Sequence, residues 1–275
     1  MLKKVMKYDC QAVFRLWWIA AAVTFALAIL GGFAQIITNN DAKVPEMIDT
    51  TAGMIIFFAY FCMFGLVLLS EVLMFMRFYR NFFTDEGYLT FTLPVKREVL
   101  FNSKILTGLA VIAASGGVCI VSNFTMFLIS HFDLFTTGEY FKTIADFFDS
   151  IPKDFIGYLI VYALEALVGL ALLLLLSVLF LYACITYGSM IAKKAKLLSS
   201  IGIYIAANAI FSFGTQLLLI FGIASIVVWT EPMSEQLLPK FVGLLLLAGI
   251  LFLAILCALI YACTHWMLDR KLNLS

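Results

Sequence analysis

RFYRNFFTDEGYLTFTLPVKREVLFNSK, residues Arg77 to Lys104, lies between two runs that are almost wholly apolar. Among the segments that join such runs, it is the one long stretch that is both basic and aromatic. Arg77, Arg80, Lys96, Arg97 and Lys104 are set among Phe78, Tyr79, Phe82, Phe83, Tyr88, Phe91 and Phe101. The runs on either side are too apolar for water, so this stretch sits at a membrane surface and faces water. It anchors the reading of everything around it.

Composition agrees along the whole chain. Hydrophobic residues make up 64% of the 275 and charged residues 13%, about half the usual charged share of about 25%. Apolar runs of twenty or more residues recur, and about 20 residues is the length that crosses a hydrocarbon core. A soluble helical domain of this size has no means of hiding so much apolar surface. The fold class is therefore all-α, a polytopic membrane protein read as a single transmembrane domain over residues 1–275. Six spans are predicted, at about 17–38, 53–76, 104–130, 155–186, 197–228 and 240–266. The fourth and fifth run to about 30 residues, near 45 Å at about 1.5 Å per residue. That exceeds a core of about 30 Å even with tilt, so both are expected to project past the bilayer where they meet, around 187–196. Residues 1–16 are basic, with Leu2, Val5, Met6, Val13 and Phe14 interleaved. They read as an interfacial amphipathic helix leading into an uncleaved first span, because the apolar run is longer than a signal-peptide core.

Lysine and arginine set the orientation. Lys3, Lys4, Lys7, Arg15, Arg77, Arg80, Lys96, Arg97, Lys104, Lys193, Lys194, Lys196, Arg270 and Lys271 fall on one side of the predicted spans, and only Lys43, Lys142, Lys153 and Lys240 on the other. The first side is read as cytoplasmic, with both termini on it. The opposite loops are acidic, as at Asp41, Glu46, Asp49, Asp133, Glu139, Asp146, Asp149, Asp154, Glu231 and Glu235. Trp17, Trp18 and Trp266 fall at the inner interface and Trp229 at the outer one, the belt expected of rings with one wet edge. The longest outer loop, 132–154, carries Tyr140, Phe141, Ile144, Phe147, Phe148 and Ile151 at helical spacing among acids. It reads as a short amphipathic helix on the outer leaflet or over a cavity.

Several chemistries find no support. None of the six cysteines lies in an outer loop, so no disulfide framework is implied. His131 and His265 fall on opposite sides of the membrane and share no metal. The chain lacks H-E-x-x-H, G-x-S-x-G and G-x-x-x-x-G-K-[ST], so it has no catalytic constellation, no cofactor site and no phosphate-cradling loop of its own. Its near-zero net charge gives no footprint for nucleic acid.

Polar residues within spans are costly in lipid and are functional candidates. Glu71, near the inner end of span two, either pairs with Arg77 or Arg80 or has a functional role. Glu165, about 15 Å deep in span four at about 1.5 Å per residue, either lines a translocation path or pairs across helices. Asn208 and Gln216 share one face of span five, about 80° apart, and suit inter-helix hydrogen bonds. The small-residue cluster Ala113, Ala114, Ser115, Gly116 and Gly117 on span three suits close helix approach.

In the opening stretch, Thr84 is placed to cap a short helix whose first turn holds Asp85 and Glu86, favourable at the positive end of the helix dipole. Gly87 leaves bare backbone, Tyr88, Leu89 and Phe91 offer apolar surface, and Leu93–Pro94 stops the helix. The alternatives are a surface that docks a partner and a surface helix that packs on its own bundle.

The phenylalanine-rich start, the run DEGYLTFTLPV and the later serine–lysine pair at Ser103–Lys104 resemble the loop between spans two and three of ABC transporter permease subunits of the type-2 export class. The likeness is to small six-span members from Firmicutes-type bacteria. The tail LDRKLNLS is also similar. The resemblance implies that residues 77–103 form a coupling segment, with Thr84, Asp85, Glu86, Gly87, Tyr88, Leu89 and Phe91 contacting a separate ABC ATPase subunit. ATP and magnesium would be bound by that partner and by nothing in this chain, which would itself be no enzyme. It further implies a second permease subunit, identical or paralogous, and residence in the bacterial cytoplasmic membrane. A short loop between spans five and six departs from the best-known members. Two other classes stand beside this expectation: a signalling or immunity membrane protein without transport, and an ion-coupled secondary transporter using Glu165.

Overall fold

The long apolar runs become long helices. The computed structural model describes residues 2–39, 45–84, 87, 97–150, 153–192, 195–230 and 237–270. Its helices are α1 (Leu2–Asn39), α2 (Glu46–Phe83), α3 (Arg97–Ser130), the short α4 (Phe132–Thr136), α5 (Glu139–Ser150), α6 (Lys153–Ile191), α7 (Lys196–Thr230) and α8 (Leu238–Arg270). No strand occurs among the described residues. Six helices, all but α4 and α5, are long and apolar enough to cross a membrane, and the chain reads as a multi-pass membrane protein. The helices outrun the predicted spans because hydropathy marks where charge begins, whereas a helix continues until something breaks it. The N-terminal amphipathic stretch and the first span are accordingly one uninterrupted helix, α1. At 39 and 35 residues, α6 and α7 exceed the core thickness by more than expected, and only residues 192–195 separate them.

The chain divides into two compact units, Met1–Arg77 with Leu106–Pro152, and Phe78–Ile105 with Lys153–Ser275. In the first unit α1 buries one face through Asp9, Val13, Trp17, Ala21, Thr24 and Ala28, a spacing of three and four that marks one side of a helix. The Trp17 indole N–H donates to Ser115 Oγ at 2.8 Å, and Ser115 and Ser70 hydroxyls lie 2.6 Å apart. One buried polar hub therefore joins α1, α2 and α3. Further along, Ala28, Ala59, Met63 and Met126 form an apolar layer. Close helix approach occurs there, at Gly31 and Gly32, where an added Cβ would lie 2.8 Å from Met126 Cε and 2.9 Å from Ile129 Cβ. It does not occur at Gly116 or Gly117, where an added Cβ would meet no described atom within 4 Å. In the cluster 113–117 it is Ser115 that is buried.

The predicted outer amphipathic helix is α5, with Phe141, Ile144, Phe147 and Phe148 exposed. Tyr140 is held by the ring of Phe135 at 4.8 Å. Gly138 turns the chain between α4 and α5 with φ 71°, a left-handed conformation open to glycine at little cost.

In the second unit α6 packs against both α7 and α8. Tyr182 stacks on Phe78 at 4.1 Å, and its hydroxyl donates to the Lys104 carbonyl at 3.1 Å. Ser189 and Ser200 hydroxyls meet at 3.1 Å where α6 and α7 join.

Candidate functional site

The segment between α2 and α3 has two ends that the structure describes, and both belong to the second unit. At the entry, Phe78 and Phe82 are fully buried and stacked at 4.8 Å. Phe78 also meets the edge of Phe101 at 6.4 Å. The phenylalanine-rich start thus fills a core rather than lying on the surface. Thr84 closes α2 by donating its hydroxyl to the Arg80 carbonyl at 2.6 Å. The Gly87 N–H donates to the Thr84 carbonyl at 2.7 Å, and Gly87 is buried. A Cβ there would lie 3.0 Å from the Phe82 carbonyl oxygen. The bare backbone of Gly87 therefore faces the chain's own helix end. Asp85, Glu86, Tyr88, Leu89 and Phe91 lie outside the described residues.

At the exit, Arg97 donates to the Asp269 carbonyl at 3.2 Å and approaches the Leu268 carbonyl at 3.5 Å. A guanidinium on the last carbonyls of α8 satisfies orphan acceptors at the negative end of the helix dipole. His265 stands between two carboxylates, 3.3 Å from Asp269 and 3.9 Å from Glu98. The Tyr261 hydroxyl donates to Asn102 Oδ1 at 3.0 Å. The start of α3 is thus pinned to the end of α8 by the Arg97 guanidinium and by the Asn102 amide.

The intramembrane candidates do not gather into one site. Glu71 is half-buried on α2. Arg77, one of the two cations that the sequence offered it, lies 3.2 Å from Asp9. Asp9 is 4% exposed, and sequence reasoning passed over it. The signal was available: it is the lone acid of the basic N-terminal stretch, and a buried acid needs a cation. Glu165 is half-buried on α6, and its Oε2 is buried without a hydrogen-bond partner among the described residues. Its neighbours on that face are applied to α8. The Tyr162 hydroxyl donates to the Pro239 carbonyl, and a Cβ added at Gly169 would lie 3.9 Å from Ile250 Cγ1. Asn208 and Gln216 are exposed on α7. Among the described residues no group of three or more His, Cys, Asp or Glu side chains is placed to hold a metal ion. Tyr182 and Tyr261 also escaped notice as clamps, because their partners are distant in sequence.

Comparison with protein-family models, curated proteins and solved structures finds no match.

Proposed function

We propose that this chain is the permease subunit of an ATP-driven exporter of the ABC type-2 class, working with a separate ATPase subunit and a second permease subunit in a bacterial cytoplasmic membrane. The observation that carries the reading is the segment joining α2 and α3. Its DEGYLTFTLPV run resembles the coupling loop of that class, and both of its ends are bolted to the unit that holds α6, α7 and α8. A loop that takes up force from a partner needs such feet, because a push on a loose connection moves only the connection. In this reading a displacement imposed by the ATPase enters through Thr84–Phe91. It passes by way of the Phe78–Tyr182 stack and the Arg97 clamp to α6–α8, in addition to the helices it joins. The unpaired Glu165 oxygen favours a second reading, ion-coupled transport without any ATPase.

The test is association with an ATPase encoded beside this chain. Tyr88 and Leu89 are the apolar anchors, and an aromatic anchor truncated to alanine commonly costs about 2 kcal/mol. Tyr88→Ala should weaken the complex by about thirtyfold, while Asp85→Ala, a rim charge, should have a smaller and salt-dependent effect. Gly87 is unsuitable as a probe, since a side chain there disturbs the end of α2 itself. Phe147→Ala on α5 is the control and should leave association unchanged. Pull-down and ATP turnover that are indifferent to Tyr88→Ala, in a complex that does form, would make the segment a surface helix of its own bundle. Absence of any ATPase complex, with transport that follows an ion gradient, would favour the Glu165 reading.

A further inference from the structure

A cavity of about 520 Å³ lies in the first unit between α1 and α3. Phe14, Trp18 and Phe25 line it from α1, and Ala114, Gly117 and Val121 from α3. Its volume is in the range of small-molecule sites, about 300–1,000 Å³. Two features of α1 create it. Trp17 is drawn inward by its bond to Ser115, which turns the next residue, Trp18, outward, where it is 64% exposed. Opposite, the small residues Ala114 and Gly117 leave room that a larger side chain would fill, and a Cβ on Gly117 would meet nothing within 4 Å.

The cavity has a polar end outside it and an apolar depth inside it. At about 100° per residue, Lys7, Gln11, Phe14, Trp18 and Phe25 fall within about 60° of one another on α1, with Arg15 about 40° beyond. The single face therefore runs from cations, through aromatic rings, to an apolar end. Phe14 to Phe25 spans about 16 Å of helix, close to half of a hydrocarbon core of about 30 Å. Arg15 stands level with the mouth, and Lys7 about 10 Å further out along the axis. Both are exposed, and neither forms an ion pair with a described residue. The only acid on this helix, Asp9, is buried against Arg77 and leaves their charge uncompensated.

We infer that this groove is a binding site for one anionic phospholipid of the leaflet at the N-terminal end of α1, with an acyl chain along Phe14–Phe25 and the phosphate-bearing headgroup at Arg15 and Lys7. The length of the groove matches a chain that crosses one leaflet, and the charge at its mouth matches an anionic headgroup, as in other basic pockets between membrane helices. The inference rests on the membrane-spanning fold and is independent of the export reading, because its test involves no ATPase and no transport.

The experiment uses the full chain in phosphatidylcholine nanodiscs doped with a phosphatidylglycerol that carries a photoactivatable acyl chain. Adducts are mapped by peptide mass spectrometry and competed with unlabelled lipid. Adducts are expected on residues 14–25 and 114–121. Two surface cations favour an anionic lipid by about thirtyfold together. Unlabelled phosphatidylglycerol should therefore compete at about thirtyfold lower mole fraction than phosphatidylcholine. Lys7→Gln with Arg15→Gln, both at exposed positions, should bring the two lipids level. Gly117→Leu should remove the adducts from this groove. Equal competition by the two lipids in the unaltered protein would reduce the groove to ordinary lipid contact and overturn the site. Crosslinks between two copies of the chain at these residues, in place of lipid adducts, would overturn it in favour of a subunit interface.

Discussion

Gly188 and Gly202 both lie in helices of the second unit, yet their surroundings are opposite. A Cβ on Gly188 would press on the main chain of Ser200, 2.8 Å from its nitrogen, at the point where α6 and α7 turn back on each other. A Cβ on Gly202 would meet nothing within 4 Å. Overpacking costs about 1–3 kcal/mol, whereas glycine in an open helix is less stable than alanine by about 0.5–1 kcal/mol. Gly188→Ala should therefore lower the melting temperature of the purified protein, and Gly202→Ala should leave it unchanged or raise it slightly, read as the monodisperse fraction after heating. Equal shifts would mean that the α6–α7 turn is not as tight as described. Nothing in sequence separates the two glycines, since the difference lies in a contact made across a turn. The same limit hid Tyr182, an ordinary residue until Phe78 and the Lys104 carbonyl are brought to it.

At the scale of elements, sequence was more informative. Alternation of charge and apolar length located all six long helices, and the aromatic periodicity of 140–151 located α5, because both patterns arise from the geometry of a single helix. Helix ends were less legible. The apolar criterion stops at Arg77, while the backbone continues as far as Phe83 with its phenylalanines inward. Helix partners were least legible, and α7 shows why. Asn208, Ser212 and Gln216 lie on one exposed face of it, and neither amide side chain bonds to a described residue. Polar groups facing lipid are costly, and amides both donate and accept, so two copies related by a twofold axis would satisfy each other. With inter-helix hydrogen bonds worth about 1 kcal/mol each, Asn208→Leu combined with Gln216→Leu should weaken self-association by about thirtyfold. This is measurable by energy transfer between labelled subunits at increasing lipid dilution. Ile210→Leu, exposed on the opposite face, should have no effect. Self-association indifferent to the double substitution would assign the stripe to another partner or to none.

For the molecule as a whole, the placement of charge makes a single orientation the economical one. By the predicted spans, fourteen of the eighteen basic residues fall on the side of the N-terminus and the α2–α3 segment, and the positive-inside bias predicts that this side faces the cytoplasm. Structure sharpens the experiment that checks this. Ser189, an obvious reporter between spans four and five by sequence, is 6% exposed and tied to Ser200, so its silence would carry no information. Leu198, 72% exposed at the start of α7, is a fair reporter for that side, and Thr137, exposed between α4 and α5, for the other. In a cysteine-free background, an impermeant maleimide added to intact cells should label Thr137→Cys and spare Leu198→Cys. Permeabilisation should then expose Leu198→Cys to the same reagent. The native chain should stay unlabelled in intact cells, because Cys10 lies on the shielded side near the N-terminus and the remaining cysteines lie within helices that cross the membrane. Labelling of Leu198→Cys before permeabilisation, with Thr137→Cys silent, would invert the protein. It would put the DEGYLTFTLPV segment outside the cell, where no ATPase can reach it, and so would end the export reading whatever the fate of the lipid groove.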